Sequence, residues 1–452
     1  MARTYLSTHD DVAALATPPG AGALAVLRLA GPSSIARLAA VFSKPDLLKA
    51  SAGSSAVYGK LVDAEGRSVD EVVAVVFRAP KSYTGQDGVD LMCHGGPATV
   101  EAALAALFST GFKQALPGEF TFRAFSAGKM DLVRAQAVDE LVKARTRGAQ
   151  SDALARLGGS LSRELDALRR ELLRLSAACA LRLDYGEDEN PEDLSVELPA
   201  LAAARGRCQA LADSYALGRL FAEGALVALA GRTNAGKSSL FNRLLKEERA
   251  IVSQQHGTTR DYLEAELDLG GIPVRILDTA GLRESHDPVE REGVRRSRLL
   301  AEGADLIVYL ADATVGLAAE DEGFLTERPE ALRVWNKVDD DRALPAPPGW
   351  LPLSALDGSG EGALAAALIG RLAGNLERAE PGLRISSARQ RDALLRCARA
   401  LGDAEEALRA GEPADIVALD LATALAALGE LSGETTSEDI LDSMFSNFCV
   451  GK

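Results

Sequence analysis

The rhythm of apolar and polar positions changes three times along the chain. Up to about residue 125, short apolar runs are cut by glycine. The β-branched run Val72–Phe77 ends at Pro80, and Gly20, Gly22, Gly31, Gly85, Gly95, Gly96 and Gly118 punctuate the segment. That pattern predicts short strands and loops in a mixed α and β domain. From about 125 to 220 the spacing becomes helical. Leu154, Leu157, Leu161, Leu165, Leu168, Leu172 and Leu175 are separated by steps of 3, 4, 4, 3, 4 and 3. Such steps predict one leucine stripe on one helix face, more simply a bundle core than a coiled-coil seam. The acidic stretch Glu187–Asp193, interrupted by Pro191, is expected to end that helix.

From about 221 to 375 the runs Ala225–Ala230, Val274–Leu277, Leu306–Leu310 and Leu332–Trp335 alternate with helical patterns. Alternation of that kind predicts βαβ units and a mostly parallel sheet. After about residue 376 the helical texture returns and lasts to Lys452. The simplest layout is an α/β domain inserted into a helical one, with segments 1–125, 126–220, 221–375 and 376–452.

Composition narrows the classes. The 452 residues correspond to roughly two to four domains. Hydrophobic residues at 47% and charged residues at 25% exclude disorder as the main state. Aromatics are only 5% while Ala and Leu dominate, which leans towards helix. Cys93, Cys179, Cys208, Cys397 and Cys449 are odd in number and far apart, which argues against a disulfide framework and fits a reducing compartment. Met1–Asp10 lacks the apolar core of a signal peptide, and no run reaches the roughly 18 apolar residues of a membrane span. A cytoplasmic protein is expected. The net charge of −15 makes nucleic acid a partner that needs its own argument.

The strongest chemical signal is Gly231-Arg-Thr-Asn-Ala-Gly-Lys-Ser238, which fits G-x-x-x-x-G-K-S. It lies between the strand-like Ala225–Ala230 and the helix-like Ser239–Glu247. Glycines let backbone N–H groups wrap a phosphate chain, and the helix N-terminus adds a favourable dipole. Lys237 is expected on the β/γ-phosphates and the Ser238 hydroxyl on Mg²⁺. Three elements follow in order. Thr258-Thr259-Arg260-Asp261 stands where a switch loop belongs, with Thr259 as the ligand that senses Mg²⁺ and γ-phosphate. Asp278-Thr279-Ala280-Gly281 ends the strand Val274–Leu277, so Asp278 can support Mg²⁺. Asn336-Lys337-Val338-Asp339 follows Leu332–Trp335.

The Asp339 carboxylate is suited to guanine N1–H and its N2 amino group together. Adenine offers neither donor and would leave a buried charge unpaired. Ser354-Ala355-Leu356 suits a backbone donor to guanine O6. The ordered set points to GTP. One departure stands out: Leu282 follows Gly281, where Ras-like enzymes carry a water-orienting glutamine. Water activation must come from elsewhere. Glu284, Glu290 and Glu292, with Arg291, Arg295, Arg296 and Arg298, are the nearby charges, and for most of them a solvated helix face suffices.

This set resembles the MnmE (TrmE) family of tRNA-modifying GTPases. The resemblance rests on Gly-Arg-x-Asn-Ala-Gly-Lys-Ser-Ser at 231–239, an insertion between helices, and the ending Phe448-Cys449-Val450-Gly451-Lys452. It also rests on Ala16-Thr-Pro-Pro-Gly20, Ser82-Tyr-Thr-Gly85, His94-Gly-Gly-Pro97, Pro117-Gly-Glu-Phe120 and Arg123-Ala-Phe125. It spans essentially the whole chain. It implies an α/β multidomain fold: a Ras-like P-loop GTPase domain inserted into a helical domain, preceded by an α+β folate-binding domain like that of the glycine-cleavage T-protein. It also implies a homodimer through the N-terminal domain and an FAD-dependent MnmG-type partner. The pair would add a carboxymethylaminomethyl or aminomethyl group to carbon 5 of the wobble uridine of certain tRNAs. The one-carbon unit would come from 5,10-methylenetetrahydrofolate, with 5-formyl-tetrahydrofolate as its analogue.

Residue by residue, the resemblance implies nucleotide contacts from Asn234, Ala235, Gly236, Lys237, Ser238 and Ser239. A second group is Ser253, Gln254, Gln255, His256, Gly257, Thr258 and Thr259, in which His256 has no chemistry of its own. The remainder are Asp278, Thr279, Ala280, Gly281, Asn336, Lys337, Asp339, Ser354, Ala355 and Leu356. Mg²⁺ would sit on Ser238 and Thr259. K⁺ would sit on Asn234, Ser253, Gln255 and Thr258, offsetting charge between the phosphates as an arginine finger does, and hydrolysis would be stimulated as two G domains pair. Glu290 would orient water, with Lys237 as the second catalytic residue. Arg28, Asp90, Lys129 and Lys452 would hold folate, through charge pairing with its glutamate tail or polar ring edge. Asp90 stands where a longer glutamate is common, Ser253 where some relatives have threonine, and Ala21 where an arginine is frequent.

Cys449 lies near the implied folate site, with reactivity and packing as its two readings. A prenylation box is excluded by Gly451 and Lys452. Cys93-His94 lacks the partners of a zinc site. Two other classes compete: a ribosome-assembly GTPase, which needs an RNA-binding module, and a dimeric GTPase acting only as a scaffold, which needs no folate.

Overall fold

The computed structural model describes residues 8–189, 194–246, 264–278, 303–374 and 380–452. They form two compact units, Met1–Asp139 with Leu425–Lys452, and Glu140–Ala424. These divisions fall at other places than the boundaries drawn from texture, and they group the last 28 residues with the N-terminal segment.

The first unit is built on one six-stranded sheet. Its elements are β1 (Val12–Leu15), β2 (Leu24–Ala30), α1 (Ser34–Ala39), α2 (Pro45–Ala50), β3 (Ser55–Val62) and β4 (Ser68–Phe77). Then follow β5 (Gly88–His94), α3 (Pro97–Ser109), β6 (Lys113–Gln114), α4 (Glu119–Ser126) and α5 (Leu132–Lys143), whose last turn crosses the division. The strand order is β3-β4-β5-β2-β1-β6. All pairings are antiparallel except β1 with β6.

Side chains alternate across a strand, so one face can be apolar and the other chemical. Leu27, Leu29, Val72, Ala74, Val76, Val89, Leu91 and Cys93 enter a core that also takes Ala103, Ala106 and Leu107 of α3. The alternate positions of β2 and β5 put Arg28 directly opposite Asp90.

In the second unit α6 (Arg147–Leu157) is followed by α7 (Ser160–Glu189), a 3₁₀ turn (Leu194–Glu197), α8 (Leu198–Asp213) and α9 (Tyr215–Glu223). The predicted leucine stripe therefore does not lie on one helix. Gly158 and Gly159 separate α6 from α7, with Gly159 at φ +85°, a conformation that ends a helix cheaply only at glycine. Leu154 is 47% exposed, while Leu161, Leu165, Leu168, Leu172 and Leu175 are buried. The stripe is a core face from Leu161 onwards.

The α/β segment runs β7 (Ala225–Ala230), α10 (Lys237–Lys246), β8 (Glu264–Leu269), β9 (Ile272–Asp278) and β10 (Leu306–Asp312). It continues with α11 (Ala319–Glu327), β11 (Leu332–Asn336), β12 (Leu351–Leu353) and α12 (Glu361–Ala373). The order β12-β11-β10-β7-β9-β8 is parallel except for the β8–β9 hairpin. Ala225–Leu229 are buried throughout, as a central parallel strand covered on both faces requires. The connections leave β7 towards β9 and return through β10 on its other side. The loop after β7 thus stands at the switch point, where α/β sheets bind ligands.

Helices resume with α13 (Ala388–Ala410) and α14 (Ala414–Ser432), so the sheet interrupts a helical run. Cys208 of α8 and Cys397 of α13 meet in that core at 3.6 Å. The chain leaving the sheet domain is pinned by polar contacts. Asp152 accepts the Gly382 N–H at 2.6 Å, and Arg156 donates to the Arg384 carbonyl at 2.8 Å and pairs with Glu140. The turn of the β8–β9 hairpin is pinned too, because Thr146 Oγ1 donates to the Gly271 carbonyl at 2.5 Å. Finally α15 (Glu438–Phe445) returns to the first unit, where Phe445 and Phe448 pack with Phe122 and Leu132. No helix among the described residues is long and apolar enough to cross a membrane.

Candidate functional site

The loop from β7 to α10 has the backbone its sequence demands. Gly231 has φ +136°, and a Cβ there would lie 2.2 Å from the Leu310 carbonyl oxygen of β10. Gly236 has φ +95°, with a would-be Cβ 2.1 Å from Asn336 Nδ2. Asn234 takes φ +65°, which asparagine tolerates better than most residues. Because α10 starts at Lys237, the N–H groups of Lys237, Ser238 and Ser239 belong to its first turn, at the positive end of the helix. That turn is an anion site by construction.

Lys237 is buried to 7% exposure, and its Nζ donates to the Gly231 and Arg232 carbonyls at 2.7 and 2.8 Å. The ammonium is therefore held inside the loop, over the place where phosphate oxygens are expected. Asn234, Ser238 and Ser239 are exposed beside it and Ala235 is buried. Arg232 leans away to Asp321 at 3.4 Å; that carboxylate also accepts from Tyr309 at 2.6 Å and from the Ala318 N–H at 2.7 Å. Asp278 ends β9, its backbone beside Leu229 of β7.

The elements expected to recognise the base converge on the same edge. Asn336 ends β11 and is 1% exposed. Its Nδ2 donates to the Ala235 carbonyl at 2.8 Å and its Oδ1 accepts the Ala355 N–H at 3.0 Å. Lys337, at φ +69°, donates from Nζ to Asp312 Oδ2 at 2.6 Å. Burial pushes the Asp312 carboxyl up, but the Lys337 and Thr314 hydrogen bonds outweigh it and hold the group below its ordinary value. Asp339 is exposed at the rim, free of the sheet. Ser354 is fully buried, and its Oγ accepts the N–H groups of Leu356 and Asp357 at 3.2 and 3.1 Å. A base carbonyl accepting from Ala355 would share that N–H with Asn336.

Ser253, Gln254, Gln255, His256, Gly257, Thr258, Thr259, Thr279, Ala280, Gly281 and Glu290 lie outside the described residues. So does the side chain of Asp278.

The first unit carries the second expected cluster. Arg28 and Asp90 form a two-pronged pair, Nε to Oδ1 at 3.0 Å and Nη2 to Oδ2 at 3.2 Å, each about a quarter exposed. Arg28 Nη1 also donates to the Gly451 carbonyl at 3.3 Å. Its guanidinium lies 5.8 and 6.0 Å from the ring centres of Tyr83 and Phe120. The C-terminal residues are seated here. Gly118 N–H donates to Cys449 O at 3.3 Å and Phe120 N–H to Lys452 O at 3.1 Å. Gly451, at φ +92°, passes so close to β1 that a Cβ would lie 2.6 Å from the Leu15 carbonyl oxygen.

The structure thus brings Arg28, Asp90 and Lys452 into one cluster. Lys129 stands beside it, donating to the Pro80 carbonyl at 2.8 Å and flanking Gly85 in the loop that carries Tyr83. Cys449 is exposed. Cys93 is buried, and His94 Nδ1 lies 2.7 Å from Asp70 Oδ1.

Sequence reasoning assigned no site role to Asp312, Arg243 of α10, or Tyr83 and Phe120, although the last two lie in motifs that carry the resemblance. Their partners lie 25 to 118 residues away, and nothing in local spacing announces them.

A family model described as the MnmE helical domain matches residues 132–449, and one described as the GTP-binding protein TrmE N-terminus matches residues 11–129. The tRNA modification GTPase MnmE of Parvibaculum lavamentivorans is 42% identical over 447 residues, covering 98% of this chain and 100% of that protein. That of Treponema denticola is 40% identical over 466 residues, covering 99% of each chain. That of Chlorobium chlorochromatii is 40% identical over 477 residues, covering both in full. A chain with this P-loop, this guanine-type motif and full-length identity at that level belongs to the MnmE family of tRNA modification GTPases.

Proposed function

We propose that this chain hydrolyses GTP in the service of wobble-uridine modification. With an MnmG-type FAD partner, it would add the carboxymethylaminomethyl or aminomethyl group at carbon 5, drawing the one-carbon unit from a folate. The observation that carries the reading is the pairing of two sites in one chain. A phosphate loop is tied through Asn336 to the Ser354–Leu356 loop, and a cationic and aromatic cluster surrounds Arg28 where the C-terminal Cys449–Lys452 is seated. A scaffold GTPase has no use for the second site. A ribosome-assembly role needs a basic module that the charge of −15 does not suggest.

The residues present fit the groups assigned to them. The α10 N-terminus and the Lys237 ammonium suit a polyphosphate. Exposed Ser238 is free to reach Mg²⁺, with Thr259 as its second protein ligand and Asp278 in support. Asn234, with Ser253, Gln255 and Thr258, is the proposed K⁺ site, and Glu290 the residue that orients water. Mg²⁺ and K⁺ supply positive charge against the phosphates when bound. Asp339 reads the guanine N1–H and amino edge.

In the first unit, the Arg28 guanidinium has a carboxylate on one side and rings within cation–π distance. It fits a flat, polar, anionic ligand such as 5-formyl-tetrahydrofolate, with Lys129 and Lys452 as further cations. The dimer is proposed to form through the N-terminal domain, and G-domain pairing to stimulate hydrolysis. Transfer RNA contact is assigned chiefly to the complex with the MnmG-type partner, since the chain is acidic.

Nucleoside mass analysis of tRNA from cells lacking this protein tests the reading. Wobble uridine is expected to lose its aminomethyl-type groups. The intact chain restores them and Asp278→Ala does not. Unchanged wobble uridine would overturn the modification role.

A further inference from the structure

Arg243 sits on α10 six residues after the P-loop lysine, and its guanidinium reaches the loop that follows β12. Nη1 donates to the Leu356 carbonyl at 2.8 Å and Nη2 to the Asp357 carbonyl at 3.0 Å. Nε pairs with the carboxylate of Glu361, the first residue of α12. One side chain therefore holds two consecutive carbonyls and the helix that ends the loop.

The loop has little else to fix its outer side. Leu356 is 79% exposed and Asp357 is exposed, so apolar burial does not hold this stretch. Its inner side is stitched by Ser354 Oγ and Asn336 Oδ1, and the turn closes on itself through Ser354 N–H to the Ser359 carbonyl at 2.8 Å and Gly358 N–H to the Ser354 carbonyl at 3.0 Å. Gly358 makes room for the clamp: a Cβ there, at φ +95°, would lie 2.1 Å from Arg243 Nη2. Charge-assisted hydrogen bonds from a planar fork are the strong and geometrically specific kind.

We infer that Arg243 is a positioning residue for base recognition. It ties the Ser354–Leu356 loop to the same helix whose N-terminus faces the phosphates. The distance between the phosphate end and the base end of the nucleotide is then set by one rigid element. The inference rests on the assignment of Ser354–Leu356 to the base carbonyl. Arg243 touches no ligand atom in this scheme; it acts through the loop.

The test uses the full chain. Steady-state kinetics are measured with GTP and with 2-aminopurine riboside triphosphate, which lacks the O6 carbonyl, and affinity is measured with GDP. Arg243→Ala is expected to raise KM for GTP and Kd for GDP about tenfold, with kcat at saturation unchanged. The preference for GTP over the analogue narrows by about the same factor. Arg243→Lys keeps a cation but replaces the planar fork with a single ammonium, which cannot serve both carbonyls and Glu361 in the geometry the guanidinium has. It is expected to narrow the preference in the same direction, and it carries the test if the alanine variant does not fold. An unchanged preference ratio, or a fall in kcat at constant KM, overturns the proposal. Asp339→Asn in the otherwise unaltered chain tests the base-site reading by itself. It is expected to shift preference from GTP to xanthosine triphosphate, and absence of that shift would sink the base-site reading whatever Arg243 does.

Discussion

Asn336 Nδ2 donates to the Ala235 carbonyl at 2.8 Å, so the first residue of the N-K-x-D motif is bonded to the middle of the phosphate loop. Its other end accepts the Ala355 N–H at 3.0 Å. Asn336 is thus a buried bridge between the β7–α10 loop and the Ser354–Leu356 loop. Asn336→Ala would leave a backbone carbonyl and a backbone N–H unpaired, each costing about 1–3 kcal/mol. Denaturant unfolding is expected to show a loss of about 2–6 kcal/mol for the two groups together, and GDP affinity to fall at least tenfold. Wild-type stability and affinity in this variant would show that the bridge carries neither role.

Gly236 tests the same bridge from the other side. A Cβ would sit 2.1 Å from Asn336 Nδ2, on a residue at φ +95°. Gly236→Ala must displace the amide or twist the loop. Nucleotide binding, measured by GDP titration, is expected to drop more than Asn336→Ala lowers it, because the phosphate loop itself distorts. Tighter binding than in Asn336→Ala would contradict the close approach.

The Asp312–Lys337 pair, at 2.6 Å, gives a pH signature. The Asp312 carboxyl is held below its ordinary value, so the pair contributes stability above the unfolded-state pKa and loses it as pH falls through the folded one. Asp312→Asn is therefore expected to be less stable than the parent at neutral pH. Thermal unfolding across a pH series should show the gap constant down to about pH 4 and narrowing below it. A gap that widens with acid would reverse the sign and refute the assignment.

Gly451 tests the seat of the C-terminal tail. Its φ of +92° and a would-be Cβ 2.6 Å from the Leu15 carbonyl oxygen leave no room for a side chain. Gly451→Ala is expected to lift Cys449–Lys452 from β1 and remove the carbonyl that Arg28 Nη1 reaches. Affinity for 5-formyl-tetrahydrofolate should fall at least tenfold while GTP hydrolysis is unchanged. Unaltered folate affinity would detach the tail from that site.

Much of this protein was legible in its residues alone. The strands Ala225–Ala230 and Leu332–Asn336 lie where the apolar-rich runs Ala225–Ala230 and Leu332–Trp335 said they would, because a central parallel strand is largely buried on both faces. The phosphate loop was legible because glycine at fixed spacing before a helix has few other uses. Local pattern misled at Leu154–Leu175. The heptad-like steps continue across Gly158–Gly159, but the backbone there turns left-handed and the helix breaks, leaving Leu154 exposed. Spacing records which residues are apolar; it does not record where a chain bends.

Only the tertiary structure decided which distant residues meet. Arg28 faces Asp90 because β2 pairs with β5 in one register. Asn336 reaches Ala235 because β11 and β7 flank β10 in a parallel sheet. Arg243 meets Leu356 and Asp357 across more than a hundred residues of chain. Hydrophobic periodicity and backbone propensity act over a few residues and are written locally. Contacts between side chains on different elements depend on strand order, register and helix packing together, and those arise only when the whole chain has folded.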